Sequence, residues 1–183
     1  EAAGNIPDDD YMLRVHKRTI KGGDTANISI GQGDILISPL QMAQAMSVMA
    51  NGGVLHQARL VLQVQNIANQ VIAAYPDRVR DEIPMRPEIR EELRRAMVGV
   101  TSDGMGTASR AKVKGIDVAG KTGTAQWGPT ERQRIAAWFA GFLPADNPQY
   151  AFAALYESEP NAKAGGGSHA APLIGQVFKE VYK

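Results

Sequence analysis

Three short apolar runs in the last third of the chain limit its fold most strongly. They consist largely of strand-forming residues and cover positions 116–119, 135–143 and 150–156. Turn-forming residues separate them, with Gly128-Pro129 before the second run and residues 144–148 before the third. Because spacing this short favours adjacent antiparallel strands, the pattern predicts a small antiparallel sheet.

Three amphipathic segments predict helices that flank this sheet. The first begins at Ser38, a residue type that caps helices, and stops at Gly52-Gly53. The second begins near Pro87, and the third covers about residues 171–182. The apolar stripes of the last two are Ile89, Leu93, Met97 and Val100, then Ile174, Val177, Phe178 and Val181. This order of elements predicts an α/β (α+β) fold in which helices flank an antiparallel sheet.

The remaining segments predict less regular structure. Residues 1–30 are polar and turn-rich, and we expect an irregular lead-in with a solvated run of acidic residues. Residues 54–64 favour an extended conformation. Glycines 165–167 predict a flexible break, and we expect Trp138 and Phe139 to pack against neighbouring helices.

Composition narrows the functional classes. The 183 residues suffice for one domain with a sizeable core. Twenty basic and nineteen acidic side chains leave a formal charge of +1, which argues against a nucleic-acid partner. The absence of cysteine excludes disulfides, thiolate metal sites and cysteine nucleophiles. His16, His56 and His169 lack metal-binding spacing, and we expect His169 to be exposed to solvent.

No segment of the sequence is long enough to span a bilayer. The longest mainly apolar run, residues 135–143, is about half as long as the roughly 20 residues that a span requires. No signal peptide is visible, and the chain opens at Glu1 rather than at a methionine. We therefore expect a piece of a longer protein, with any anchor or export signal upstream.

One short motif carries chemistry: Lys121, Thr122 and Gly123, followed by Thr124. A strand edge can bind an extended peptide as an added strand, and Gly123 lacks a side chain that would block close approach. Lys121 supplies a positive charge for a carboxylate and can help to organise proton transfer. The two threonine hydroxyls share one face, and the amide near Thr124 can stabilise an oxyanion, worth about 3–4 kcal/mol in a comparable site. The motif suits acyl transfer, although an ordinary strand start with an exposed lysine would look the same.

The Lys-Thr-Gly motif is also a signature of penicillin-binding proteins and serine β-lactamases. Five further segments resemble class B penicillin-binding proteins, in the order expected for that family. They are Gly31-Gln32-Gly33 to Pro39-Leu40-Gln41, Ala50-Asn51-Gly52-Gly53, Gly106-Thr107-Ala108, Ala137-Trp138-Phe139-Ala140-Gly141-Phe142, and Gly166-Gly167-Ser168 to Ala171-Pro172. The chain thus resembles the C-terminal part of a class B transpeptidase domain, and the elongation-type, penicillin-binding protein 2-like enzymes are most similar.

This resemblance implies a partial penicillin-binding protein/serine β-lactamase-like transpeptidase fold. It implies a D,D-transpeptidase that cross-links peptidoglycan stem peptides through a serine acyl-enzyme and is acylated by β-lactams. Lys121, Thr122, Gly123 and Thr124 would line the substrate cleft, with Lys121 and Thr124 in catalytic roles. No metal or organic cofactor is implied. Other cell-wall synthesis proteins would be partners, at the outer, periplasmic face of the cytoplasmic membrane.

Two motifs of that family are missing from the expected places. Ser-x-x-Lys supplies the nucleophile and its base, because a serine hydroxyl alone is a weak nucleophile. No Ser-x-Asn occurs in the sequence, and Ser102-Asp103-Gly104 is only a near miss. The one Ser-x-x-Lys, Ser109 to Lys112, lies close before Lys121 with no helix pattern after it, and we interpret it as a coincidence.

We therefore expect residues 1–183 to be the C-terminal portion of one transpeptidase domain. The N-terminal portion, with Ser-x-x-Lys and Ser-x-Asn, would be a separate partner for this chain and would carry the membrane anchor upstream. The chain alone would be inactive and would expose apolar surface.

Two other interpretations stay open. A non-catalytic penicillin-binding-protein-like module would explain the missing motifs, but the intact Lys-Thr-Gly-Thr sequence argues against it. Half of a serine β-lactamase would share the fold and the motif, but the segment from Gly31 to Asp34 resembles the synthases more. Turnover of a β-lactam, rather than a long-lived acyl-enzyme, would favour the lactamase.

Overall fold

A computed structural model describes residues 2–183, which form helices and antiparallel strands. The helices are α1 (Asp9–His16), α2 (Gly22–Ser29), α3 (Pro39–Asn51), α4 (Pro87–Ser102) and α5 (Ala171–Val181). The strands are β1 (Val54–His56), β2 (Gln63–Gln65), β3 (Val71–Ala74), β4 (Val79–Glu82), β5 (Ala119–Trp127), β6 (Arg134–Leu143) and β7 (Tyr150–Glu157). Short 3-10 turns occur at Ser109–Ala111 and Thr130–Arg132, and a π-helical turn covers Gly166–Ala170.

The three strands β5, β6 and β7 form the predicted antiparallel meander. They pair in the order β5-β6-β7, so β6 lies in the middle and β5 at one edge. Lys121 lies opposite Ala140, Gly123 opposite Trp138, and Phe139 opposite Ala154 on the other side. The expectation of adjacent antiparallel strands is confirmed.

One face of this sheet is sealed by α5, as the sequence predicted. Phe139 is fully buried there and packs with Phe152, Ile174 and Phe178. The rings of Phe139 and Phe152 lie 5.2 Å apart between centroids, and those of Phe152 and Phe178 lie 5.9 Å apart. Burial of such a side chain stabilises the fold by about 1.5–3 kcal/mol. Val177, part of the predicted stripe on α5, is instead exposed, as is Val181.

The opposite face packs against α3 and α4 over part of its area. Met97 of α4 is buried with Phe142 and Ala145, and Met46 and Met49 of α3 pack against this group. The predicted apolar stripe of α4 is buried only toward its C-terminal half, because Ile89 and Leu93 remain exposed.

The predicted ends of α3 are confirmed. The Ser38 hydroxyl accepts a hydrogen bond from the Gln41 amide at 3.2 Å, and the Gln41 side chain accepts one from the Ser38 amide at 2.9 Å. This reciprocal arrangement satisfies donors that a helix start leaves unpaired. Gly52, with φ of 90°, ends the helix in the left-handed conformation that glycine adopts readily.

The expectation of an irregular lead-in over residues 1–30 is wrong, because this segment contains α1 and α2. The Asp8 carboxylate accepts a hydrogen bond from the Tyr11 amide at 2.7 Å, so the acidic run caps a helix. In the first turn of α2, the Asp24 carboxylate accepts two hydrogen bonds. One comes from the Arg18 side chain at 2.9 Å and the other from the Lys21 amide at 2.8 Å. Both contacts hold the pKa of Asp24 well below its usual range.

Residues 54–82 form a double hairpin rather than the single extended segment expected over 54–64. β1 pairs with β4 and β2 pairs with β3, both antiparallel. Several apolar side chains on it are exposed, among them Leu60, Leu62, Ile67 and Ile72. The sequence did not predict β3 and β4 because they are only four residues long and, in β4, mostly charged.

The first strand of the meander lies later in the chain than predicted. β5 begins at Ala119 and continues to Trp127, whereas Ile116 forms only an isolated bridge with Val113. The long partner strand β6 pairs with every residue of β5. The Lys-Thr-Gly motif is therefore inside the strand and not at its end. Within residues 2–183, no helix combines the length and apolar character that a bilayer crossing requires.

Candidate active site

The motif residues lie on the edge strand β5, and they divide between its two faces. Thr122 and Thr124 share the face of Phe139, as expected, whereas Lys121 and Gly123 share the face of Trp138. The structure thus confirms that the threonines lie on one face and places Lys121 on the other. The long Lys121 side chain bends back, and its Nζ donates to the Thr122 carbonyl at 2.8 Å.

The free edge of β5 is defined by a contact from a distant segment. The Gln32 side-chain Nε2 donates a hydrogen bond to the Thr124 carbonyl at 3.1 Å. In an antiparallel strand, the carbonyl and amide of one residue point to the same side, and residues two apart point alike. The amide and carbonyl groups of Thr122 and Thr124 therefore face away from β6. The Lys121 ammonium reaches this same free edge.

A second contact fixes the threonine face. The hydroxyls of Thr107 and Thr122 lie 2.8 Å apart and share a hydrogen bond. Thr107 follows the end of α4, so the loop after that helix contributes directly to the motif. The Thr124 hydroxyl is on the exposed part of the strand.

An open apolar groove of about 440 Å³ borders the Lys121 face of β5. It is lined by residues of the motif, by Trp138 and Ala140 of β6, and by side chains from the first third of the chain: Ile30, Ile35, Ile37, Met42 and Met46. Among the described residues that line it, Lys121 carries the single charge. A Cβ at Gly123 would point into this groove, 3.4 Å from the Trp138 Cβ. The groove therefore joins one cation and a strand edge to an apolar wall.

The glycines at 165–167 form a packed turn, which contradicts the expected flexible break. Gly166 is buried, and a Cβ there would lie 2.1 Å from the Trp138 carbonyl oxygen and 2.8 Å from that of Gly123. A Cβ at Gly167 would lie 1.8 Å from the Thr107 carbonyl oxygen. Glycine is required here for close backbone approach, not for flexibility.

His169 is half-buried, so the expectation of a solvent-exposed histidine is wrong. Its ring stacks on Tyr156 with centroids 4.8 Å apart, and its Nδ1 lies 2.8 Å from the Ser168 hydroxyl. The aromatic partner and the neighbouring hydroxyl hold the imidazole against the sheet.

The Ser-x-x-Lys sequence at Ser109 does not begin a long helix. Ser109 starts a single 3-10 turn and is exposed, and the Lys112 Nζ donates to the Ser102 carbonyl at 3.1 Å. Across residues 2–183, His, Asp and Glu side chains form no cluster of three that could hold a metal ion.

Three residues at the site were not identified by sequence reasoning: Gln32, Thr107 and Gly166. Each belongs to a segment that resembles the family, but no role for it was predicted. The structure brings these segments together around the motif strand. Their position in segments that resemble the family was the sequence signal that could have found them.

Comparisons with known proteins agree with this geometry. The family described as the penicillin binding protein transpeptidase domain matches residues 1–183. The chain is 31% identical to the peptidoglycan D,D-transpeptidase MrdA of Haemophilus influenzae and 32% identical to MrdA of Acinetobacter baumannii, over 97% of the chain in both cases. It spans only 29% and 27% of the lengths of those relatives.

Two solved structures share the fold. Pseudomonas aeruginosa PBP2 in complex with WCK 5153 matches with a TM-score of 0.77 and 29% identity, over 99% of this chain and 38% of that one. The ceftriaxone acyl-enzyme complex of penicillin-binding protein A from M. tuberculosis matches with a TM-score of 0.78 and 27% identity, over 89% and 36%. The predicted fold class and the penicillin-binding protein 2-like resemblance are confirmed. The chain belongs to the penicillin-binding protein transpeptidase family.

Proposed function

We propose that this chain supplies the substrate-binding strand of a serine D,D-transpeptidase that cross-links peptidoglycan stem peptides. The observation that carries the proposal is the Lys121–Thr124 motif at the free edge of β5, beside an open groove. The relatives named as peptidoglycan D,D-transpeptidases, and the related protein solved as a ceftriaxone acyl-enzyme, support this reaction class and acylation by β-lactams.

The free edge offers the groups that bind a peptide substrate and stabilise an oxyanion. A stem peptide can lie along β5 as an added strand and bond to the outward backbone groups of Thr122 and Thr124. The Thr124 amide would stabilise the oxyanion, a type of contact whose loss costs about 10²–10³ in kcat. The Lys121 ammonium and the two threonine hydroxyls would bind the carboxylate, with Lys121 also assisting proton transfer. The Gln32 side chain must release the Thr124 carbonyl when the peptide binds there.

The nucleophile belongs to an upstream portion of the same domain. Residues 1–183 are its C-terminal portion, and the N-terminal portion supplies Ser-x-x-Lys and Ser-x-Asn. The apolar groove supports this division, because Ile30 in its wall and the neighbouring Leu36 are exposed here and would be covered by that portion. The working protein acts with other cell-wall synthesis proteins at the periplasmic face of the cytoplasmic membrane.

Labelling with a fluorescent penicillin tests the proposal on the protein that contains this chain. Lys121→Ala should lower the acylation rate by about 10²–10⁴, the range of a positioned acid–base group. Lys112→Ala is the matched control, since Lys112 is also exposed but lies outside the groove, and it should label at the wild-type rate.

Three outcomes would contradict the proposal. Absence of labelling in the wild type would favour a non-catalytic module. Rapid loss of the label by hydrolysis would favour a serine β-lactamase. Equal acylation rates for Lys121→Ala and Lys112→Ala would show that the motif takes no part in acylation.

A further inference from the structure

Ser168 and His169 close the turn behind the motif strand with a set of hydrogen bonds. The Ser168 hydroxyl donates to the Gly165 carbonyl at 3.1 Å and lies 2.8 Å from the His169 Nδ1. The Gly165 amide lies 3.3 Å from the same Nδ1, and the Ser168 and His169 amides donate to the Gly165 carbonyl. We call this arrangement the Ser168–His169 clasp. In either neutral tautomer of His169, the side chains tie the two ends of the turn together.

The clasp holds the turn against the motif at Gly123 and Thr124. The position of a Cβ on Gly165 lies 3.4 Å from the Ser168 hydroxyl and 4.0 Å from the Thr124 hydroxyl, so both hydroxyls border one small space. Gly166, the next residue, packs directly over the Gly123 backbone. The turn therefore supports β5 on the face that carries the threonine hydroxyls, away from Lys121.

Two further contacts fix the clasp from outside. The His169 ring is stacked on Tyr156 of β7, with an angle of 29° between ring planes. The Arg110 guanidinium donates to the Ser168 carbonyl at 3.4 Å. The clasp is thus attached to the far strand of the sheet and to the 3-10 turn before β5. The partners of His169 are Gly165, Ser168 and Tyr156, so an effect of His169 on Thr124 has to pass through the turn.

We propose that Ser168 and His169 are positioning residues that orient the Thr124 hydroxyl toward the carboxylate of the ligand. This inference rests on the proposed function. It adds that recognition of the ligand carboxylate depends on the threonine face of β5. The clasp supports the hydroxyl face of β5, so it governs recognition of a carboxylate. Attack on the acyl carbon depends on the strand edge and on residues outside this chain.

A comparison of two ligands separates this role from simple loosening of the fold. Acylation rates are measured for the protein containing this chain with a penicillin that has its free carboxylate and with the methyl ester of the same penicillin. His169→Leu and Ser168→Ala should each slow the free acid by about 10-fold, as expected for one weakened hydrogen bond to a charged group. The rate with the ester should stay within about twofold, because the ester offers no carboxylate charge.

Matched variants and the unfolding midpoint complete the experiment. His169→Asn keeps a polar atom near the position of Nδ1 and should restore most of the rate with the free acid. His56→Leu, at a half-exposed histidine paired with Asp77 on the double hairpin, should change neither rate. Equal losses with acid and ester, or no loss with the acid, would overturn the clasp's role while leaving the proposed function intact. A wild-type protein that reacts with neither compound would overturn both.

Discussion

The two faces of the β5-β6-β7 sheet differ in how completely other side chains cover them. On one face, Phe139 is sealed beneath α5 with Phe152 and Phe178, and this face holds most of the fully buried side chains. On the other face, its neighbour Trp138 is half-buried beside the open groove and Lys121. One strand thus contributes to the stability of the fold through alternate residues and to the candidate site through those between them. The closed face is covered by α5 over its aromatic core, whereas the open face keeps a groove beside Lys121.

Neighbouring substitutions on β6 should show this difference most strongly. Phe139→Ala removes a fully buried ring and should lower the free energy of unfolding by about 3–5 kcal/mol. Trp138→Ala should cost clearly less in the chain of residues 1–183, because its ring is half-buried. Denaturant unfolding of both variants measures the two costs.

The same two variants can also be measured in a longer protein. The proposed N-terminal portion would cover the open face, so a protein that contains it should show a higher cost for Trp138→Ala and an unchanged cost for Phe139→Ala. Equal costs for the two variants in the short chain would show that the open face is already a core.

The packed glycine turn gives the next largest expected effect. Gly166→Ala places a Cβ against the Trp138 and Gly123 carbonyl oxygens and should destabilise the protein by about 1–3 kcal/mol. Gly165→Ala is the matched control, because the nearest atom to its Cβ is the Ser168 hydroxyl at 3.4 Å, and it should change stability by less than about 0.5 kcal/mol. Thermal unfolding of both variants measures these stability changes. Similar melting temperatures would indicate that residues 165–167 form a flexible break rather than a packed turn.

The smallest effect should come from Asp24. This residue lies on α2, outside the β5-β6-β7 sheet. Its pKa is lowered in the folded state, chiefly by Arg18, so its stabilising effect is present above the unfolded pKa of about 4 and is lost as pH falls through the folded value. Asp24→Asn should therefore lower the urea midpoint slightly at pH 7, and the difference from the wild type should shrink below about pH 4. Asp10→Asn, at an exposed position of α1, is the control. A difference that grows on acidification would contradict this assignment.

The sequence predicted the closed face better than the open one. The strand meander, the cap at Ser38 and the covering helix follow from local pattern, because hydrophobic periodicity and turn residues act over a few positions. The Lys121–Thr124 motif was also found, and the shared face of its two threonines follows from strand alternation. The roles of Gln32, Thr107 and His169 depend on contacts between segments far apart in sequence, which no local pattern contains.

The errors in the first half have a similar cause. The acidic run at Asp8 is exposed, as expected, but the sequence did not show that its side-chain contact to the Tyr11 amide also caps a helix. The double hairpin was missed because β3 and β4 are very short strands, and their pairing with β2 and β1 decides their structure.

The most direct test of the account is to locate the penicillin adduct by peptide mass mapping after the protein reacts with the drug. We predict an acylated serine in the portion upstream of residues 1–183 and unmodified serines within this chain. An adduct on Ser109, or on any other serine of residues 1–183, would contradict the claim that this chain supplies the substrate-binding strand while another segment supplies the nucleophile.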